Sequence, residues 1–294
     1  MDTSFLSGTG VALVTPFNTD HSIDFESLTR LVKHVINGRA EYLVVMGTTG
    51  ESVVLNDDEK QQVLRHILQI NKNHIPVVLG IGGNNTKVVS DSIKAQDFEG
   101  VNGLLSVSPY YNKPNQSGLF EHFSKVAQAS PVPVILYNVP SRTGSYIQPD
   151  TTLRLANEFD NIVAIKEASG QFDGIMEIIS RKKEEFMVIS GDDGLTLPLL
   201  SIGVEGVISV IANSMPYEMS EIVRKALNNQ YDVAREVHYK LIHLIDLIFR
   251  EGNPAGIKAA LHCQGIIQNQ IRLPLTPVSN ELYSDICLAV GNSK

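Results

Sequence analysis

Short runs rich in Val, Ile and Leu alternate along the chain with longer stretches whose apolar residues recur at helical spacing. The short runs predict strands covered on both faces, and the longer stretches predict amphipathic helices. Strands are predicted at residues 11–15, 42–46, 77–81, 103–107, 134–138, 162–166, 186–190 and 206–210. Between the first two, residues 24–37 set Phe25, Leu28, Leu31, Val32 and Val35 on one face, open on a capping Asp24 and stop at Gly38. Residues 56–73 open on Asp57-Asp58-Glu59, acids that suit a helix N-terminus, and carry Val63, Leu64, Ile67, Leu68 and Ile70 as their apolar face.

Eight strand–helix units in succession predict a (β/α)8 TIM barrel, an α/β fold whose active site sits where the strands' C-terminal ends meet their loops. A doubly wound sheet is the alternative, but the chain has no dinucleotide fingerprint. Gly80-Ile81-Gly82-Gly83 lacks the third glycine and a ribose-binding acid, and reads as a tight turn. Beyond residue 227 the strand signals stop. Residues 231–249 align Ala234, Val237, Leu241, Leu244, Ile245 and Ile248 on one helical face, and helix-like stretches follow at 255–262 and 279–290. The chain therefore divides into a barrel, 1–227, and a C-terminal helical appendage, 228–294, docked without a flexible linker.

The sequence of 294 residues is 43% hydrophobic and 19% charged, enough for a real core. A formal net charge of −8 argues against nucleic acid or an anionic membrane as the main partner. No apolar run reaches bilayer-spanning length and the first residues carry no signal-like segment, so a soluble, cytoplasmic protein is expected. Cys263 and Cys287 have neither metal nor redox spacing. They read as interior free thiols in a reducing compartment, with a disulfide as the alternative.

Candidate chemistry gathers at the predicted strand ends. Lys166 closes the apolar run from Asn161 and precedes the polar Glu167-Ala168-Ser169-Gly170. A lysine partly desolvated there loses some preference for its ammonium form, and a neutral amine attacks carbonyl carbons to give a Schiff base. The plainer reading is a lysine that snorkels to solvent. Gly47-Thr48-Thr49-Gly50-Glu51 follows the second strand, and its backbone N–H groups and hydroxyls suit a carboxylate. Tyr137, ending the fifth strand, can move protons beside Lys166. Arg142, in a Pro/Gly loop, can clamp a second carboxylate with its planar fork. Asp192-Asp193 invites a metal reading, but no His–acid cluster stands with it, and no metal site is expected.

Three segments in register, Gly47-Thr48-Thr49-Gly50-Glu51, Tyr137-Asn138-Val139-Pro140-Ser141-Arg142-Thr143-Gly144 and Lys166-Glu167-Ala168-Ser169-Gly170, resemble the signatures of the dihydrodipicolinate synthase family. This family lies within the N-acetylneuraminate lyase superfamily. The resemblance runs from about Gly8 into the C-terminal helices. It implies condensation of pyruvate with L-aspartate 4-semialdehyde to 4-hydroxy-tetrahydrodipicolinate, in the diaminopimelate branch of lysine synthesis, with no metal or organic cofactor. By the same resemblance Lys166 forms the imine, and Tyr137 shuttles protons through Thr49 to Tyr111 of a neighbouring subunit. Thr48 and Thr49 bind the pyruvate carboxylate, Gly191 and Ile208 offer main-chain contacts, and Arg142 holds the carboxylate of the semialdehyde. A dimer is then the minimum active unit and a homotetramer the expected assembly. Arg142 favours this activity over a sugar-acid lyase such as N-acetylneuraminate lyase; a barrel that binds without catalysing is the more distant alternative.

The chain departs from the family pattern at two places. Asn253-Pro254-Ala255-Gly256-Ile257-Lys258 lacks a second proline the family often carries, which bears on local rigidity and, on sequence alone, on no chemistry. Lys60 and Val88 stand where lysine-inhibited relatives commonly place a histidine and a glutamate, so feedback by lysine is expected to be weak or absent.

Overall fold

In the computed structural model, which describes residues 3–292, eight parallel strands close into a barrel in sequence order. The outermost residues of the two predicted segments, Met1, Asp2, Ser293 and Lys294, lie outside the described residues. The strands are β1 (Gly8–Ala12), β2 (Tyr42–Val45), β3 (Val77–Gly80), β4 (Gly103–Val107), β5 (Val134–Asn138), β6 (Ile162–Glu167), β7 (Met187–Ser190) and β8 (Gly206–Ser209). Each is followed by a helix: α1 (Phe25–Asn37), α2 (Asp57–Asn71), α3 (Thr86–Ala95), α4 (Gln116–Ala129), α5 (Pro149–Glu158), α6 (Phe172–Arg181), α7 (Thr196–Ser201) and α8 (Pro216–Leu227). Then come α9 (Tyr231–Arg250), α10 (Ala255–Cys263) and α11 (Asn280–Asn292), the helical appendage.

The helix starts follow from local chemistry. The Asp24 carboxylate accepts the Ser27 N–H at 2.9 Å. Asn56 and Glu59 form a reciprocal capping box, each side chain accepting the other's backbone N–H at 2.9 Å. Caps of this kind contribute about 1 kcal/mol each.

One strand lies off its predicted place. β1 spans Gly8–Ala12 rather than residues 11–15. Gly8 and Gly10 fall within it, and at Gly10 the Tyr42 ring fills the barrel beside the backbone. A Cβ on Gly10 would stand 2.1 Å from Tyr42 Cε2.

Alternation along the strands separates an inner from an outer core. Ala12, Tyr42, Val44, Leu105, Ile135, Ala164, Met187 and Ile189 point into the barrel, whereas Leu136, Ile165 and Val188 face the helices. The appendage packs α9 along α8 and against α10 and α11. Here the thiol expectation is corrected: Cys263 and Cys287 form a disulfide, with Cα atoms 5.4 Å apart. Packing of α10 beside α11 sets this proximity, and a spacing of 24 residues carried no hint of it. Among the described residues no helix is long and apolar enough to cross a membrane.

Candidate active site

Register brings the first two functional side chains together. β5 and β6 pair with Ile135 opposite Ala164 and Tyr137 opposite Lys166. Because side chains alternate with a period of two, Tyr137 and Lys166 both point inward at the C-terminal end of the barrel. Lys166 is only 6% exposed, so it does not snorkel to solvent. Its Nζ lies 4.3 Å from the centroid of the Tyr137 ring. β7 leaves room for it: a Cβ on Gly191 would stand 2.9 Å from Lys166 Cε and 2.7 Å from Ala168 Cβ.

The residues next in sequence point outward and hold the loop that carries Arg142. Asn138 Nδ2 donates to the Glu167 carboxylate at 2.9 Å, and Asn138 Oδ1 accepts the Ile147 N–H at 3.0 Å. Burial pushes the Glu167 carboxyl upward, opposed by its bonds from Asn138 and Ser169. Pro140–Thr143 forms one helical turn, closed by Gly144 in the left-handed region at φ 68°. This turn places Arg142 at the mouth, where one of its Nη atoms donates to the Asn253 carbonyl at 3.4 Å.

Across the barrel, Thr48–Gly50 forms a 3-10 turn after β2. It is flanked by Met46 at φ 61° and Glu51 at φ 54°. Such a conformation costs a side-chain-bearing residue about 1–3 kcal/mol and persists only where the surroundings impose it. Thr48 is exposed to the opening, whereas Thr49 is buried. The Thr15 hydroxyl donates to the Gly50 carbonyl at 2.7 Å, and Asn253 Nδ2 donates to Thr49 Oγ1 at 2.9 Å.

These elements surround a cavity of about 200 Å³ lined by Lys166, Tyr137, Thr48, Thr49, Arg142 and Gly191, among others. A larger cleft, about 810 Å³, continues outward past Lys60, Val88 and Tyr110. Two predicted site residues stand apart from the cavity. Ile208 is buried in the inner core of the barrel, and Tyr111 is 85% exposed, with φ 71°.

The paired acids are occupied by the backbone. The Asp193 carboxylate accepts the N–H groups of Val210 and Ile211 at 3.0 and 2.8 Å, and burial pushes its carboxyl up to about 6. Asp192 Oδ1 accepts the Leu195 N–H at 3.0 Å. Among the described residues no group of three His, Cys, Asp or Glu side chains is placed to hold a metal.

Sequence reasoning missed Asn253, which reaches both Thr49 and Arg142 from the segment between α9 and α10. Its Nδ2 donates to Thr49 Oγ1, and its carbonyl accepts from Arg142.

A buried lysine in a strand-end cavity, beside a tyrosine and opposite paired threonines, suits the amine-nucleophile chemistry of (β/α)8 lyases. The model of the dihydrodipicolinate synthetase family matches residues 5–291. The chain is 52% identical over 281 residues to the 4-hydroxy-tetrahydrodipicolinate synthase of Flavobacterium psychrophilum, covering 96% of each chain. The crystal structure of the dihydrodipicolinate synthase of Thermotoga maritima superposes with a TM-score of 0.95 at 39% identity, covering 98% of this chain and 99% of that one. A monomeric dihydrodipicolinate synthase variant superposes at 0.96 with 38% identity, covering 99% and 97%. The chain belongs to the dihydrodipicolinate synthetase family.

Proposed function

We propose that this enzyme condenses pyruvate with L-aspartate 4-semialdehyde to give 4-hydroxy-tetrahydrodipicolinate. The observation that carries the reading is the buried Lys166 amine beside Tyr137, facing Thr48 and Thr49 across one small cavity. The Lys166 nitrogen attacks the pyruvate carbonyl carbon, and water leaves as the imine forms. Loss of a proton from the methyl carbon gives an enamine, whose carbon attacks the aldehyde of the semialdehyde. The amine of the second substrate then attacks the imine carbon, closes the ring and expels Lys166. The imine nitrogen is the electron sink throughout. Thr48 and Thr49 hold the pyruvate carboxylate, with Gly191 contributing a main-chain contact.

Tyr137 moves the protons, linked through Thr49 to Tyr111. Tyr111 points to solvent rather than into the cavity, which supports its supply from one copy of the chain to the site of another. On this reading a dimer is the smallest active unit and a homotetramer the complete assembly. Arg142 at the mouth holds the carboxylate of the semialdehyde, and a cytoplasmic setting fits the biosynthetic role.

Borohydride reduction in the presence of pyruvate tests the chemistry. Trapped pyruvate mass is expected on the peptide containing Lys166 and is lost in Lys166→Ala. Turnover with the semialdehyde beside N-acetylmannosamine and glyceraldehyde tests the acceptor. A faster rate with either sugar aldehyde keeps the imine and overturns the second substrate.

A further inference from the structure

We infer that Glu51 and Lys258 are positioning residues for the Thr48–Gly50 turn, so that the C-terminal helices set how tightly the keto-acid substrate is held. This rests on the assignment of Thr48 and Thr49 to the pyruvate carboxylate.

Glu51 ends the turn in the left-handed region, at φ 54°. Its carboxylate forms an ion pair with the Lys258 ammonium of α10, the side chains being 2% and 1% exposed. The Arg272 backbone N–H donates to the same carboxylate at 3.2 Å. Lys258 Nζ is itself fixed from two sides. It donates to the Gln270 carbonyl at 3.0 Å and lies 4.1 Å from the centroid of the Phe17 ring. The Arg272 guanidinium extends the network, bonding the Glu59 carboxylate at 2.5 Å and the Val54 carbonyl at 3.0 Å. Burial draws the Lys258 ammonium down to about 8, with Glu51 opposing the shift.

Two charges placed this deep need a reason. A buried ion pair is often no more stabilising than apolar side chains of the same size, although removing one partner alone is costly. What the pair supplies that an apolar contact does not is direction. It fixes the carboxylate of a residue held in an unfavourable backbone conformation, three positions after Thr48 and two after Thr49. With the bond from Asn253 to Thr49, the appendage holds this turn at two points from regions remote in the chain.

The double variant Glu51→Gln/Lys258→Met removes both charges and keeps the approximate shape. It is expected to fold with a Tm near that of the parent, while KM for pyruvate rises about tenfold or more, since small misplacements of binding groups carry costs of that size. KM for the semialdehyde should stay within about twofold, and the borohydride adduct should still form on Lys166. A purely structural role predicts the opposite split: a lower Tm and an unchanged pyruvate KM. A folded double variant whose pyruvate KM lies within about twofold of the parent overturns the inference.

If the double variant does not fold, Glu51→Asp decides, because it keeps both charges and withdraws the carboxylate by one methylene. A rise in pyruvate KM of about threefold or more supports positioning, and a smaller one overturns it. Should the parent enzyme not trap pyruvate on Lys166, the assignment beneath the inference has failed, and the inference with it. Trapping on Lys166 with an unchanged KM in the variant removes the inference alone.

Discussion

The two sides of the cavity are held in place by different means. On one side, Tyr137 and Lys166 are adjacent through sheet register, and the Arg142 loop is clamped by Asn138 and Glu167. The partners there come from neighbouring strands and the loop between them, apart from the Asn253 carbonyl, which accepts from Arg142. On the other side, the Thr48–Gly50 turn is held by Asn253, Lys258 and Arg272, from the helical appendage and the chain beyond α10. A closed barrel fixes the ends of its strands, but not the loops that follow them. The Tyr137–Lys166 pair thus comes with the fold, while the Thr48–Gly50 turn is also held by chain beyond the barrel.

Tyr137→Phe should break the register-built side most severely. Removing the hydroxyl proposed to move protons is expected to lower kcat by about 10² to 10⁴ with little change in pyruvate KM. A loss below about tenfold in steady-state kinetics would take Tyr137 out of the proton path. Arg142→Ala comes next. Loss of a charge-assisted contact to a carboxylate is expected to reduce kcat/KM for the semialdehyde about ten- to hundredfold. The Lys166 adduct with pyruvate should form as before. Equal losses for both substrates would instead mean that Arg142 serves the whole mouth.

The smallest expected effect concerns the outer cleft on the turn's side. Lys60 lines this cleft and pairs with Asp57 at 3.1 Å, and Val88 is exposed beside it. A cation and an aliphatic side chain offer nothing to the ammonium of free lysine. Added lysine should leave the rate essentially unchanged, and half-inhibition at sub-millimolar lysine would sink that expectation.

Most of the barrel was legible because its signals are local. Runs of β-branched residues marked seven strands to within a residue or two at their ends, while Asp24 announced one helix as a cap and Asp57-Asp58-Glu59 announced another as N-terminal acids. The eighth, β1, was misplaced because Gly8 and Gly10 carry no strand signal of their own; the reason for Gly10 lies in Tyr42, on another strand. The adjacency of Tyr137 and Lys166 was equally readable, since both lie at the C-terminal ends of neighbouring strands. The anchoring side was not. Asn253, Lys258 and the Cys263–Cys287 bond matter through contacts with residues distant in the sequence or on another helix, and no periodicity encodes these. One local clue existed: Lys258 sits within the otherwise apolar segment Ala255–Leu261, where a lone cation calls for a buried partner.

The remoteness of these partners also has a meaning in time. Thr49 and Asn253 stand 204 residues apart in the chain. A ribosome adding roughly 5–20 residues per second takes on the order of ten to forty seconds to cover that interval. Throughout it the residues of the Thr48–Gly50 turn are already in the chain, while the side chains that steady the turn are still untranslated. The strands bearing Tyr137 and Lys166 are also made well before synthesis ends, so both sides of the cavity exist in sequence before the chain that braces the turn is made.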